Sequence, residues 1–170
     1  MKATEADLSA RFAALGIETR THAHPPLFTV EDSRALRGDL PGGHCKNLFL
    51  KAKNGSLWLV VALEDTAVDL KALSKRLGAG TLSFGRAELL WEMLGVEPGS
   101  VTPFALINDR ARLVQPVLEA GMMALPLLNY HPLRNDRTTA IASVDLARFI
   151  AACGHEPIVT ELPVRLTPTA

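Results

Sequence analysis

An Asn-Gly pair between two apolar segments restricts the fold of this chain more than any other sequence feature. Residues 46 to 53 (KNLFLKAK) alternate in polarity, which predicts a β-strand. Residues 57 to 63 (LWLVVAL) are apolar throughout, which predicts a strand in the middle of a sheet. Asn54-Gly55 between them is the strongest short signal for a hairpin turn. The chain is therefore expected to build its core around an antiparallel strand pair.

Helix and strand signals follow one another along the rest of the chain without the regular alternation of a doubly wound fold. Capping residues and apolar periodicity predict helices at 4–15, 29–36, 69–77, 86–94 and 143–152. Further strands are predicted at 17–23, 104–108, 113–118, 125–130, 138–142 and 157–162. The expected fold is therefore α+β. One compact domain, residues 1–170, would hold a mixed, mostly antiparallel sheet or partial barrel surrounded by about five helices.

The charge balance limits what the protein can bind. The sequence has 18 Lys and Arg against 18 Asp and Glu, so its formal net charge is zero. This balance excludes binding to polyanions through bulk charge, and it also excludes a polybasic membrane anchor. Any contact with nucleic acid must therefore come from a local patch of positive side chains.

The N-terminal sequence and the two cysteines favour a cytoplasmic protein. Glu5 and Asp7 fall where a signal peptide needs its apolar core. The longest apolar runs are far shorter than the roughly 20 residues that span a bilayer. Cys45 and Cys153 lie far apart and form neither a disulfide framework nor a zinc-ligand spacing. We expect free thiols in a reducing compartment.

The glycine-rich stretch before Lys46 suggests a phosphate-binding loop, but it does not fit one. A Walker A loop places its lysine directly after glycine and before a helix. Here His44 and Cys45 intervene, Asn47 follows, and the next element is a predicted strand. A lysine at a loop-to-strand junction remains, either as an ordinary surface side chain or as part of a site.

The histidines do not complete a metal site. His22 and His24 would lie on one face of a strand, but no nearby Asp, Glu or Cys supplies the remaining ligands. We expect no metal. His44 and Cys45 are adjacent on a strand and point to opposite faces, so a direct thiol–imidazole pair is disfavoured. Cys45 is better explained as a small apolar core residue.

A second loop has a turn-forming sequence. Gly95-Val-Glu-Pro-Gly-Ser-Val-Thr-Pro103 follows a predicted helix. Successive backbone N–H groups in such a turn can form a cradle for an anion or an oxyanion. A plain connection between two elements explains the same sequence.

The segments together resemble the YbaK/ProX family of aminoacyl-tRNA deacylases, which are free-standing relatives of the editing domain in bacterial prolyl-tRNA synthetase. The resemblance covers about residues 4 to 162, and within the family the sequence is most similar to the ProX branch. The segments that carry it are Gly43-x-x-Lys46-Asn47, Gly95-x-x-Pro98-Gly99-Ser100, Asn108-Asp109, Asn129-Tyr-His131-Pro132 and Gly154-His155.

This resemblance implies an editing-domain fold and hydrolysis of the ester that joins a wrong amino acid to the 3′-terminal adenosine of tRNA. The ProX branch clears alanine from tRNA(Pro). The family's essential lysine matches Lys46, with Asn47 beside it. Its pocket-lining glycine loop matches Gly99 and Ser100, and its site histidine matches His131. The sequence departs from the pattern at Glu119, where Asp is common.

The chemistry of an editing enzyme needs no metal, cofactor or covalent nucleophile, because an aminoacyl ester is already activated. Lys46 could hold a phosphate or sugar oxygen of the terminal adenosine. Backbone N–H groups near Gly99 and Ser100 could stabilise the oxyanion. The attacking water is activated either by the substrate's own ribose hydroxyl or through His131.

Selection for alanine would be steric. A small apolar pocket excludes the larger proline ring, and Phe28 and Val30 are the expected walls. The alternatives are a Cys-tRNA(Pro) deacylase of the YbaK branch and a catalytically silent module that binds tRNA or a synthetase.

The expected partners are the acceptor end of mischarged tRNA(Pro) and, as a further candidate, prolyl-tRNA synthetase. We expect no DNA, no membrane, and a monomer. The local positive patch would be centred on Lys46 and include some of Lys51, Lys53, Arg134 and Arg137.

Overall fold

Helices and strands are interspersed along the chain, as the sequence predicts. The computed structural model describes residues 1–27, 29–37 and 40–166. The helices in these ranges are α1 (Glu5–Ala14), α2 (Val30–Arg37), α3 (Leu70–Leu77), α4 (Ala87–Leu94), α5 (Ala120–Met123) and α6 (Ser143–Ala152). The strands there are β1 (Thr19–Ala23), β2 (Gly43–Ala52), β3 (Leu57–Leu63), β4 (Leu82–Phe84), β5 (Val114–Glu119), β6 (Leu127–Tyr130), β7 (Arg137–Ala142) and β8 (Ile158–Thr160).

The strands form one mixed sheet. Their order is β1-β7-β6-β2-β3-β5-β8, and β4 pairs with β2 beside this path. The pairs β1–β7, β6–β7, β2–β3 and β2–β4 are antiparallel, whereas β2–β6, β3–β5 and β5–β8 are parallel. The predicted α+β class with a mixed, mostly antiparallel sheet is confirmed, with six α-helices in the described residues in place of about five.

Strand β3 is buried on both faces, which explains its unbroken apolar sequence. Leu59 and Val61 face one apolar cluster, which includes helices α1, α4 and α6. Val60 and Ala62 face a second cluster, which includes α3. All four side chains are fully buried. The predicted central position of this strand is confirmed.

The predicted hairpin turn joins β2 to β3. Gly55 has a φ of 91°, which a residue with a side chain rarely adopts. Its N–H donates to the Ala52 carbonyl at 2.9 Å. The Asn54 side-chain oxygen accepts from the Ser56 N–H at 3.0 Å. The Asn-Gly pair therefore supplies both the positive φ and the polar contact that close the turn.

The predicted strand at 104–108 is wrong, because this segment is a 3-10 helix, Pro103–Asn108. The Thr102 hydroxyl accepts from the Phe104 N–H at 3.3 Å and caps the helix. Pro103 occupies the first turn, where its missing N–H costs nothing. The apolar run reflects burial and not a strand, since the Phe104 ring is fully buried and packs edge-on to Phe12 at 5.2 Å between centroids.

Several shorter elements also differ from the prediction. Strand β2 begins at Gly43, before the predicted start at residue 46. Strand β6 begins at Leu127, after Pro126, which cannot donate to a ladder. Ser143 is the first residue of α6 and makes no side-chain cap. Strand β4 and helix α5 were not predicted, because segments this short have no periodicity to detect. In the described ranges, no helix is both long and apolar enough to cross a membrane.

Candidate functional site

Lys46 lies in the middle of the sheet and opens into a cavity. It pairs with Ala62 across the β2–β3 hairpin. Because side chains alternate along a strand, it shares a face with Leu48 and Leu50. The cavity has a volume of about 300 Å³ and is lined by Lys46, Leu48, Val68, Leu70, Phe84 and Arg165. Lys46 is therefore a half-buried cation against a mainly apolar wall.

The surroundings of Lys46 lower the pKa of its ammonium group. Partial burial is the largest cause, and the positive charge of Arg165 adds to it. The carboxylates of Glu119, Asp65 and Glu64 act in the opposite direction but do not cancel the shift. Lys46 therefore loses its proton more readily than a fully solvated lysine does.

Glu119 stands where the family resemblance led us to expect Asp, and it has a structural role. One carboxylate oxygen accepts from the Leu63 N–H at 2.9 Å. The other accepts from the Thr66 hydroxyl at 2.8 Å. These bonds tie the end of β5 to the end of β3, and they leave a negative charge near Lys46.

Asn47 points away from the Lys46 cavity. Strand alternation places it on the opposite face of β2, with Cys45 and Phe49 and the first apolar cluster. Its side-chain oxygen is buried and has no hydrogen-bond partner among the described residues. The two neighbours Lys46 and Asn47 therefore cannot line the same wall of a pocket, and a substrate contact for Asn47 stays a prediction.

His131 follows β6 and is half-buried. Its Nδ1–H donates to the Arg137 carbonyl at 2.8 Å, which leaves the lone pair on Nε2. Burial lowers the pKa of its imidazole, the bond to Arg137 opposes this, and the nearby His24 lowers it further. His131 is therefore suited to act as a neutral base.

Lys46 and His131 lie on neighbouring segments of the fold, because Lys46 belongs to β2 and His131 directly follows β6, and their joint use in one site stays a prediction. His44 of β2 pairs in parallel with Asn129 of β6. Lys46 and His131 lie beyond this register, and His131 does not line the Lys46 cavity. Within the described residues, no hydrogen bond joins them directly.

The Gly99-Ser100 turn uses one of its two candidate donors internally. Gly99 has a φ of 92°, which suits glycine. The Ser100 N–H donates to the Glu97 carbonyl at 3.0 Å, and Ser100 is buried. This bond removes the Ser100 N–H as an oxyanion donor. The Gly99 N–H remains the candidate for that role, and the pocket contact of both residues stays a prediction.

The side chains of the two predicted pocket walls lie outside the part of the chain that the structure describes. Phe28 lies outside the described residues. Val30 is the first residue of α2, and its side chain also lies outside the described part.

The two histidines of the HxH pattern are engaged separately. His24 donates through Nδ1 to the Pro25 carbonyl and shares a hydrogen bond between Nε2 and the Thr138 hydroxyl, both at 2.8 Å. His22 lines a different cavity, beside Arg20. In the part of the chain that the structure describes, no group of three or more His, Cys, Asp or Glu side chains is arranged to hold a metal.

Neither cysteine is suited to act as a nucleophile. Burial raises the pKa of the Cys45 thiol to about 12 and that of Cys153 to about 11. Both are free and pack against the first apolar cluster, which fits the interpretation of Cys45 as a small core residue.

Two arginines of the predicted positive patch, Arg134 and Arg137, pair with carboxylates. Arg134 forms a two-point ion pair with Asp136 at 2.6 Å. Arg137 lies 3.1 Å from Glu5. The cation that shares the Lys46 cavity is Arg165 instead. Sequence reasoning missed Arg165, because nothing in the sequence links the C-terminal segment to β2.

The sequence also matches a known protein family. Residues 24–149 match the model of the aminoacyl-tRNA editing domain. The chain belongs to this family. The resemblance to YbaK/ProX deacylases is thereby confirmed, and the matched range includes every site residue that the sequence predicts.

Relatives of this editing domain include free-standing proteins of similar length. The mouse prolyl-tRNA synthetase associated domain-containing protein 1 is 36% identical over 159 residues, which cover 91% of this chain and 94% of that protein. The prolyl-tRNA editing protein ProX of Acetoanaerobium sticklandii is 31% identical over 147 residues, which cover 86% of this chain and 90% of that protein. A crystal structure of a candidate trans-editing enzyme for prolyl tRNA synthetase shares the fold, with a TM-score of 0.72, 16% identity, and coverage of 97% of this chain and 100% of that one.

Proposed function

We propose that this editing domain hydrolyses the ester bond of alanine attached to tRNA(Pro), in trans to prolyl-tRNA synthetase. The observation that carries the proposal is Lys46, a half-buried cation that opens into an apolar-walled cavity of an aminoacyl-tRNA editing domain. The 31% identity to a prolyl-tRNA editing protein supports the choice of tRNA(Pro). Residues 1–170 act as one domain in this proposal.

The proposed reaction is addition of water to the ester carbonyl. Lys46 holds a phosphate or sugar oxygen of the terminal adenosine and orients the ester. His131 accepts a proton from the water through Nε2, because its Nδ1–H is committed to Arg137. The water oxygen bonds to the carbonyl carbon, and the Gly99 N–H stabilises the oxyanion. The carbon–oxygen bond to ribose then breaks, and the ribose oxygen takes the proton from His131. Alanine and uncharged tRNA leave.

Selection for alanine rests on pocket size. A pocket that fits a methyl side chain rejects the proline ring by steric clash, whereas it discriminates weakly against side chains smaller than its own volume. Phe28 and Val30 are the proposed walls. Serine and glycine esters are therefore the expected near-competitors.

Release of amino acid from three charged tRNAs tests the proposed function. The protein is incubated with Ala-tRNA(Pro), Cys-tRNA(Pro) and Pro-tRNA(Pro), and loss of each ester is followed over time. Alanine should be released fastest and proline should be retained, and a chelator should leave the rate unchanged. Preferential release of cysteine would assign the protein to the YbaK branch. Release of no amino acid above the buffer rate would support a silent binding module.

The pH dependence of deacylation tests the role of His131. Burial holds the pKa of its imidazole below the ordinary value of about 6.5, so the neutral base persists into mildly acidic solution. We expect kcat/KM, corrected for spontaneous ester hydrolysis, to decline only below that pH. His131→Asn should lower the rate by about a hundredfold and abolish this acidic decline. Full activity with an unchanged pH profile in His131→Asn would assign water activation to the substrate's ribose hydroxyl instead.

A further inference from the structure

The segment after β8 returns to the Lys46 cavity and is held there by the backbone. The Arg165 N–H donates to the Ala67 carbonyl at 2.8 Å. Its neighbour Val164 forms an antiparallel bridge with Val68, whose side chain is part of the cavity wall. These contacts place the Arg165 side chain at the cavity that Lys46 enters.

Two cations therefore share one small cavity. Arg165 is exposed and, among the residues that the structure describes, its guanidinium makes no ion pair or hydrogen bond. The carboxylates of Glu119, Asp65 and Glu64 act on Lys46 from outside the cavity lining. The like charges of Lys46 and Arg165 repel each other, and an anion between them would relieve that repulsion. No carboxylate of the described residues lines the cavity, so an anion that enters it meets two positive side chains.

An exposed aromatic ring completes the cavity. Phe84 of β4 pairs with Leu50 of β2, so it lies on the same face of the sheet as Lys46. Its side chain is 65% exposed, which is unusual for phenylalanine. Aromatic rings beside a positively charged groove are the arrangement by which proteins bind single-stranded nucleic acid. The volume of about 300 Å³ is at the lower end of ligand pockets, which suits one nucleotide.

We propose that Arg165, Lys46 and Phe84 bind the last nucleotide of the RNA 3′ end. The guanidinium and ammonium groups hold the phosphate on the 5′ side of the terminal adenosine, and the Phe84 ring stacks on its adenine. The inference rests on the proposed function and adds to it a residue, Arg165, that lies beyond the matched range 24–149. Arginine suits this role because its planar donors can contact two phosphate oxygens.

Binding of the trinucleotide CCA, followed by NMR titration, tests the site without any turnover. Arg165→Gln should weaken binding about tenfold. It should also make the slope of log K against log salt shallower by about 0.7, as expected for loss of one single-strand phosphate contact. Phe84→Ala should weaken binding about tenfold with no change in that slope. The matched controls are Arg110→Gln and Trp91→Ala, an exposed arginine and a half-exposed aromatic outside this cavity, and both should bind as the wild type does.

Wild-type affinity and salt slope in Arg165→Gln would overturn the proposal. The free nucleotide 5′-AMP, which carries adenine and a 5′-phosphate monoester in place of the diester of CCA, is titrated in parallel. Tighter binding of 5′-AMP than of CCA would assign the cavity to a free nucleotide and would also overturn the proposal.

Two model esters separate this inference from the deacylation itself. Arg165→Gln should raise KM about tenfold for CCA that carries a 3′-alanyl ester, with kcat unchanged. It should have no effect on 3′-O-alanyladenosine, which lacks the phosphate. An equal loss with both esters would contradict a phosphate contact. If the wild type releases no alanine from Ala-tRNA(Pro), the deacylase proposal fails, while the CCA titration still decides the nucleotide site.

Discussion

Lys46→Met is expected to lower kcat/KM for Ala-tRNA(Pro) by about a hundredfold or more. This change removes the ammonium group, and methionine keeps a linear apolar side chain against Leu48 and the cavity wall. The proposed site would lose the charge that orients the terminal adenosine, so the loss should appear in both kcat and KM. Steady-state deacylation of Ala-tRNA(Pro) measures it.

The control for Lys46→Met is Lys71→Met. Lys71 is an exposed lysine in the first turn of α3, where a positive charge is not favoured by the helix dipole. This variant should retain wild-type kinetics, and both variants should unfold at nearly the wild-type temperature. Full activity in a folded Lys46→Met protein would remove Lys46 from the proposed mechanism.

Asp109→Ala is expected to destabilise the fold by about 3–5 kcal/mol, because it leaves buried polar groups without partners. The Asp109 carboxylate accepts from His155 Nε2 at 2.9 Å and from the N–H groups of Leu113 and Val114 at 3.0 and 2.8 Å. The side chains of Asp109 and His155 are both only 2% exposed. Equilibrium unfolding in denaturant measures the free energy of unfolding directly.

The control for Asp109→Ala is Glu156→Ala, an exposed acid next to His155, which should change stability by less than about 0.5 kcal/mol. Acid titration gives a second measurement. Burial alone would raise the pKa of Asp109, but the hydrogen bonds from His155 and the two backbone N–H groups outweigh it and lower the pKa. The folded pKa lies below the unfolded one, so this stabilisation is complete above about pH 3.9 and is lost as the pH falls through the folded value. A loss of stability in Asp109→Ala no larger than that of the control would contradict the structural role.

Elements with local signals were predictable from sequence. Helix α3 begins where Asp69 accepts from the Ala72 N–H at 3.0 Å, and it ends at Gly78 in the left-handed region. Helix α1 begins with the capping box of Thr4 and Asp7. These bonds join residues three or four positions apart, so the residue types alone indicate them.

Elements without local signals were not predictable. An apolar run such as 104–108 fits a buried strand and a buried helix equally well, so its own residue types do not decide between them. Strand β4 has three residues, and its extended conformation is stabilised by antiparallel pairing with β2. Such short segments take their conformation from neighbours that are distant in the sequence.

The sequence by itself determined the hairpin, the α+β class, the family resemblance and the choice of Lys46 and His131 as candidates, because these depend on residue types at short spacings. The tertiary structure decided how they combine. It placed Lys46 and Asn47 on opposite faces of β2, paired Asp109 with His155, and brought Arg165 to the Lys46 cavity. Contacts between residues far apart in the chain depend on strand order and packing, and no local pattern of side chains encodes them.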